Sequence, residues 1–518
     1  MIKNIKWLLL VSLTFVACND NEEVADPVEV PVVAGSANFS RYVALGNSLT
    51  AGFSDGALFK AGQMNAYPKL MSDQFALVGG GAFNVPLMND NIGGIMLGPN
   101  QLPGFGPRLV FNGSAPVPLP FTPTTQLLPA LTGQFQNMGV PGAKSFHLLA
   151  PGYGNPAGLS ANPATANPYF VRFASNASAS VIQDAMAQNP TFFSLWIGNN
   201  DVLGYATSGG NGTNPITPIN GAAGVGFDGT YNALVSTLIS GGAKGIVANI
   251  PYVTTIPFFK AVPHNPLSSS VLGQGDVQAG EAAITALNTQ LYGPLKQALS
   301  AFGAGDRLEL LSTTKANPLL IKDETLVNLS AQLTAAFTPS LGPASAAFYG
   351  NVFGQARQAT ANDLVLLTTR GLIATAPTAA NSGLGFAPPA PLNRFGVTYP
   401  LQDSHILIAS EVQEVRVATD AYNAIIKAAA DTNGLAFVDA SAILTQLSTS
   451  GIRFDNFHMT AAFVQGGAFG LDGIHLTARA NAYIANKFLE AINGKYGSTF
   501  RMYKPQDYPL SYPANLPN

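Results

Sequence analysis

Two short stretches of the chain carry side chains able to do covalent chemistry. One is YVALGNSLTAGF, Tyr42–Phe53, which places Ser48 directly after an apolar, strand-forming run. The other is LDGIHLT, Leu471–Thr477, in which Asp472 precedes His475 by three residues. A serine hydroxyl is a poor nucleophile until a base takes its proton, and His475 is the candidate base. At that spacing, in a turn or a first helical turn, the Asp472 carboxylate can reach the far imidazole nitrogen. There it would fix the tautomer and stabilise the imidazolium that forms. Read singly, each stretch has an ordinary explanation. Serines after strands cap helices, and an aspartate at a helix start can stand beside an exposed histidine without any chemistry.

Two further blocks lie between them in the chain, NMGVPGAKS at Asn137–Ser145 and IGNND at Ile197–Asp201. In this order the four blocks resemble those of the SGNH/GDSL family of serine hydrolases. The resemblance implies Ser48 as nucleophile with His475 and Asp472 completing the triad. It also implies an oxyanion hole built from the Ser48 N–H, the Gly142 N–H and the Asn200 side-chain amide. These types suit the task, since glycine permits a sharp turn and close substrate approach, while asparagine supplies a neutral donor. The blocks cover about 35 residues, so the resemblance addresses the catalytic core and leaves most of the chain undescribed. Asn47 stands where the family signature has aspartate, a position outside the triad, and the blocks are spaced much more widely than in compact members.

The other histidines, His147, His264, His405 and His458, lack the D-x-x-H context. His147 follows Gly142 closely enough to be a pocket residue. Asp403 and His405 form a D-x-H pair, but no cluster with metal-ligand spacing accompanies it, so neither metal nor other cofactor is expected. Phe53, Phe59, Phe105, Phe258 and Phe259 would suit an acyl pocket, although a core explains them better.

These residues must be brought together by a sheet. Beyond Tyr42–Leu45, the runs Thr191–Ile197, Gly245–Ile250 and Leu435–Val438 read as short buried strands, with Leu308–Leu311 a weaker one. Val412, Val415, Ala418, Tyr422, Ile425, Ile426 and Ala429 make a helix-period stripe within Glu411–Ala430, and Ala480, Ile484 and Phe488 repeat it over Thr477–Ile492. Strands alternating with helices predict an α/β fold with a mostly parallel, doubly wound sheet, and the family resemblance implies a three-layer α/β/α sandwich. That places Ser48 at the carboxyl end of a strand, where such sheets keep their ligands. One catalytic domain is expected over residues 41–495, interrupted by insertions at about 57–131, 204–226 and 253–404 and followed by a tail, 496–518. The first two insertions are rich in Gly, Pro, Asn and Thr and read as elaborated loops. The third contains a helix around Ala279–Phe302 and a strand-like Leu364–Thr368, so a cap or subdomain fits there.

Residues 1–17 read as a secretory signal: Lys3 and Lys6 precede an apolar run, Trp7–Val16, too short to span a membrane. Phe15-Val16-Ala17-Cys18 resembles a bacterial lipoprotein cleavage box, which implies lipidation of Cys18. That residue is also the single cysteine, so no intrachain disulfide forms. Residues 18–40, with Asp20, Glu22, Glu23, Asp26 and Glu29 and no base, read as an acidic tether. Charged residues make up only 10% of the chain and hydrophobic ones 47%, so the surface rests on uncharged polar residues, as suits a protein outside the cytoplasm. The formal charge of -3 comes with no basic patch, which argues against nucleic acid. The expectation is an extracytoplasmic lipoprotein, on the outer membrane or cell surface, that hydrolyses an ester-bearing small molecule, glycan or lipid. The contrasting expectation is a catalytically silent lipoprotein that binds glycan or protein through its insertions.

Overall fold

A computed structural model describes residues 31–454 and 456–517. The expected signal, the lipidation site Cys18 and the five acids of the tether lie outside these residues. The organising element is a sheet of five parallel strands: β1 (Tyr42–Gly46), β2 (Asn137–Gly139), β3 (Phe192–Trp196), β4 (Lys244–Ala248) and β5 (Ala436–Val438). Their spatial order is β2-β1-β3-β4-β5. The order reverses between β1 and β3, so the crevice for a ligand opens at the carboxyl ends of those two strands.

Strands buried on both faces read as almost continuous apolar runs, which is why YVALG and FFSLW show no polar alternation. Alternate residues feed two separate apolar clusters. Val43, Leu45, Phe193, Leu195 and Val247 pack with helices α3 (Val181–Met186), α4 (Asn199–Thr207), α5 (Phe227–Ile239) and α6 (Ala409–Thr432). Tyr42, Ala44, Phe192, Trp196 and Ile246 pack with helices α2 (Tyr67–Ala76) and α8 (Ala478–Tyr496). The stripes of α6 and α8 face these clusters as their periodicity requires, with Tyr422, Ile426 and Phe488 fully buried. Helix α7 (Ala440–Thr449) follows β5, and a two-stranded hairpin, Ile452–Phe454 with Phe457–Met459, follows α7.

Several sequence expectations are corrected. Helix α2 lies inside the insertion 57–131 expected to be loop, and Tyr67, Leu70, Met71 and Phe75 bury one of its faces. That helix-period spacing was present in the sequence among many glycines and prolines. Leu308–Leu311 forms no strand, and only Leu364–Val365 of the expected Leu364–Thr368 strand does. Residues 31–40 are not tether: Phe39 is buried and stacks on Phe75 at 4.3 Å, and Ser36 N–H donates to the Tyr496 carbonyl at 2.8 Å. Apolar residues after the last acid draw this segment onto the body. The tail is held too, because buried Arg108 donates to the carbonyls of Tyr512 at 3.1 Å and Pro513 at 2.6 Å.

The third insertion has a hydrophobic core of its own, running from Val262 to Ile408 and separate from both sheet clusters. Helices Val277–Leu287 and Gly293–Ala301 lie where one long helix was expected, joined through Asn288–Tyr292. Val253, Ile256, Phe258 and Phe259, at the start of the insertion, belong instead to the main body. Among the described residues no helix is long and apolar enough to cross a membrane.

Candidate active site

Ser48 opens a single helical turn, α1 (Ser48–Ala51), directly after β1. Asn47 caps that turn by accepting the Leu49 N–H at 3.1 Å, and its amide donates to Asn199 Oδ1 at 3.3 Å. The turn can sit this low on the sheet only because glycines lie beneath it. A Cβ on Gly46 would lie 2.1 Å from Thr50 Oγ1, and one on Gly139 would lie 2.3 Å from the Ala51 nitrogen.

His475 reaches this serine from a sequence distance of 427 residues, with Nε2 at 2.8 Å from Ser48 Oγ. Its Nδ1 is 2.8 Å from Asp472 Oδ2. That carboxylate, whose side chain is 11% exposed, also accepts the Gly56 N–H at 2.8 Å and the Ile474 and His475 N–H groups at 2.9 Å each. Burial alone would raise its pKa, but the His475 imidazole and these N–H donors outweigh it and hold the carboxyl at about 2. Asp472 is therefore ionised near neutrality, and the Nδ1 it faces is the donor. Nε2 is left as the acceptor toward the serine. Phe53 packs on the imidazole with ring centroids 4.5 Å apart.

The three expected oxyanion donors lie just after the carboxyl ends of β1, β2 and β3, two at helix starts and Gly142 in a turn. The Ser48 N–H begins its helical turn, where intrahelical partners are absent. Asn200, at the start of α4, gives one amide hydrogen to the Ala143 carbonyl at 2.9 Å and keeps the second. That bond ties Asn200 to the loop carrying Gly142, which is exposed and has φ +81, a conformation glycine adopts freely. No hydrogen bond of the Gly142 N–H is found among the described residues. The loop is braced by buried Asp201, whose carboxylate accepts the Ser145 N–H at 2.8 Å and its hydroxyl at 2.7 Å. Sequence reasoning missed this brace, although Asp201 follows Asn200 directly.

The remaining histidines stay away from Ser48. His147 stacks on Tyr153 at 4.6 Å, and its Nδ1 accepts the Lys144 N–H at 3.0 Å. Burial, helped by Lys144, pushes its pKa down to about 4, so it is neutral. His405 accepts the Gln402 N–H at 3.1 Å, and His458 meets the Ser450 carbonyl at 3.0 Å. Carboxylates gather at one further place, where Glu324, Asp403 and Glu411 bring oxygens within 4.8 Å of one another. Burial and the neighbouring acids raise Glu411 to about 8, and it accepts the Ile408 N–H at 2.9 Å, so Glu411 holds a proton at neutral pH.

Beside Ser48 and His475 lies an apolar cavity of about 90 Å³. Leu203 of α4, Val253 and Ile256 of the insertion start, Leu447 of α7 and Met459 of the hairpin contribute to its wall. None of the five phenylalanines considered from sequence lines it; Phe59, Phe258 and Phe259 are core residues and Phe53 packs on His475. The true lining comes from several segments far apart in the chain, which no local pattern could have grouped. Comparisons with protein-family models, with curated proteins and with solved structures found no match.

Proposed function

We propose that this protein is a serine esterase of the SGNH/GDSL type, with Ser48, His475 and Asp472 as its triad on a three-layer α/β/α sandwich. The observation that supports it most is the continuous chain Asp472–His475–Ser48, with both links at 2.8 Å. Such a chain has no structural need to end on a serine hydroxyl at the crevice of the sheet. Ser48 Oγ attacks the ester carbonyl while His475 Nε2 takes its proton, and the Ser48 N–H, Gly142 N–H and Asn200 amide receive the oxyanion. His475 then returns the proton to the alcohol oxygen as the C–O bond breaks, leaving an acyl-Ser48. Water repeats the cycle and releases the carboxylic acid. No metal or cofactor enters this scheme.

The sequence features before residue 31 extend the proposal to an extracytoplasmic enzyme, anchored to a bacterial outer membrane or cell surface through lipid on Cys18. Hydrolysis of p-nitrophenyl acetate by the wild type and Ser48→Ala tests the chemistry. The variant should lose at least about a thousandfold in kcat, and a fluorophosphonate should label Ser48. If both proteins are equally inactive and Ser48 stays unlabelled, the hydrolase reading fails and a binding lipoprotein takes its place. Metabolic labelling with a fatty-acid precursor, lost in Cys18→Ala, tests the anchor.

A further inference from the structure

We infer that the cavity beside Ser48 is an acyl-chain pocket, and that the preferred esters carry an unbranched aliphatic acyl group well longer than acetyl. This rests on the esterase reading, since it assigns the group that stays attached to Ser48 between the two half-reactions.

The cavity wall is continuous with the reacting atoms: Ser48, His475 and Asn200 line it along with Leu203, Val253 and Leu447. Apart from the reacting atoms and the second amide hydrogen of Asn200, several of its polar side-chain atoms are already committed. Asn47 bonds Leu49 and Asn199, Asn200 bonds Ala143, and the Trp196 indole N–H donates to the Asn249 carbonyl at 3.1 Å. Beyond the reacting groups the wall is almost wholly apolar and offers little to solvate sugar hydroxyls, so a glycan placed inside would leave most of its own polar groups unpaired. An acetyl group would leave most of the space empty, whereas each added methylene removes apolar surface from water. The cavity suits the acyl side of the ester rather than the alcohol. The alcohol must take its proton from His475 and diffuse away, which the exposed Gly142 side allows. The acyl carbon remains bonded to Ser48 Oγ until water attacks it, and an apolar pocket beside the serine holds that group in register. Helix α7 and its hairpin therefore act as a specificity element, with Ile443, Leu444, Leu447, Ile452 and Met459 facing the chain.

The test uses full-length protein in a non-ionic detergent, with p-nitrophenyl esters from acetate to decanoate and, separately, acetate esters of alcohols of rising length. In the acyl series kcat/KM should rise about fourfold per methylene over the first additions, reaching at least about a hundredfold by octanoate. The alcohol series should stay within about threefold. Leu447→Trp, which fills the cavity, should lower the octanoate-to-acetate ratio at least about tenfold. If it does not fold, Ile443→Phe serves the same purpose. Measurable acetate turnover with no dependence on acyl length overturns the pocket and leaves the esterase standing, and so does a rise confined to the alcohol series. No turnover on any ester, with Ser48 unlabelled by a fluorophosphonate, overturns both.

Discussion

Asp472→Asn isolates what the carboxylate does, because it keeps the shape and removes the charge. Four hydrogen bonds converge on Asp472, two on Oδ1 from the Ile474 and His475 N–H groups and two on Oδ2 from the Gly56 N–H and His475 Nδ1. An asparagine amide that keeps the first pair presents its NH2 to the Gly56 N–H and to His475 Nδ1. The ring must then accept at Nδ1 and carry its proton on Nε2, the atom that should receive the Ser48 proton. The wrong tautomer costs about four orders of magnitude in kcat in a Ser-His-Asp mechanism, with KM nearly unchanged. Stability carries a second signature. A carboxyl held at about 2 rather than its ordinary 3.8 contributes about 2 kcal/mol at neutral pH. Since the folded pKa is the lower one, that contribution is complete above about 4 and is lost as pH falls through 2. Urea unfolding should therefore show the wild type ahead of the variant at pH 7, and the gap closing between pH 4 and 2. Activity within tenfold of wild type, or a stability gap independent of pH, would refute the reasoning.

Three further outcomes follow from other parts of the molecule. Gly142→Ala forces a Cβ into a backbone at φ +81 where only Asn167 Nδ2, 3.9 Å away, would meet it, so the cost is conformational, about 1–2 kcal/mol. It should displace the oxyanion loop and lower kcat about ten- to a hundredfold in steady-state ester hydrolysis, with a smaller change in KM. Glu411, 5% exposed, keeps its proton in the folded state up to about 8 against an ordinary 4.5, so its contribution to stability is present below 4.5 and declines as pH rises through that window. Glu411→Gln should flatten this slope and gain on the wild type in melting temperature from pH 5 to 9; an unchanged slope would remove Glu411 as its source. Arg108→Met leaves the carbonyls of Asn91, Tyr512 and Pro513 without their donor. A loss of roughly 3 kcal/mol is expected, with tryptic cleavage after exposed Arg501, in the tail, preceding global unfolding.

Much of the site could be read from the chain because its parts are locally encoded. Ser48 is announced by an apolar run, a glycine and a small polar pair, and the Asp472–His475 contact needs only three residues of spacing in a turn. The stripes of α6 and α8 are legible because a helix repeats its buried face every 3.6 residues, and β1, β3, β4 and β5 because buried parallel strands are short and apolar. Helix α2 was obscured where glycine and proline crowd its flanks, and β2 because three residues, NMG, carry too little pattern to distinguish from a turn.

What the sequence by itself determined is therefore the kind of residue available for chemistry, the strand-and-helix alternation, and the local turn that joins Asp472 to His475. Only the tertiary structure decided that His475 meets Ser48 across 427 positions, since that contact depends on how α8, which follows His475, packs on the face of the sheet that carries Tyr42 and Ala44 of β1. It also decided that the third insertion closes a core of its own, that residues 31–40 and the tail fold back on the body, and that the cavity is lined mainly by aliphatic side chains, with Trp196, Phe469 and Tyr483 but none of the five phenylalanines considered from sequence. These features arise where segments far apart in the chain share one buried surface, and burial is a property of the packed whole that no window of sequence contains.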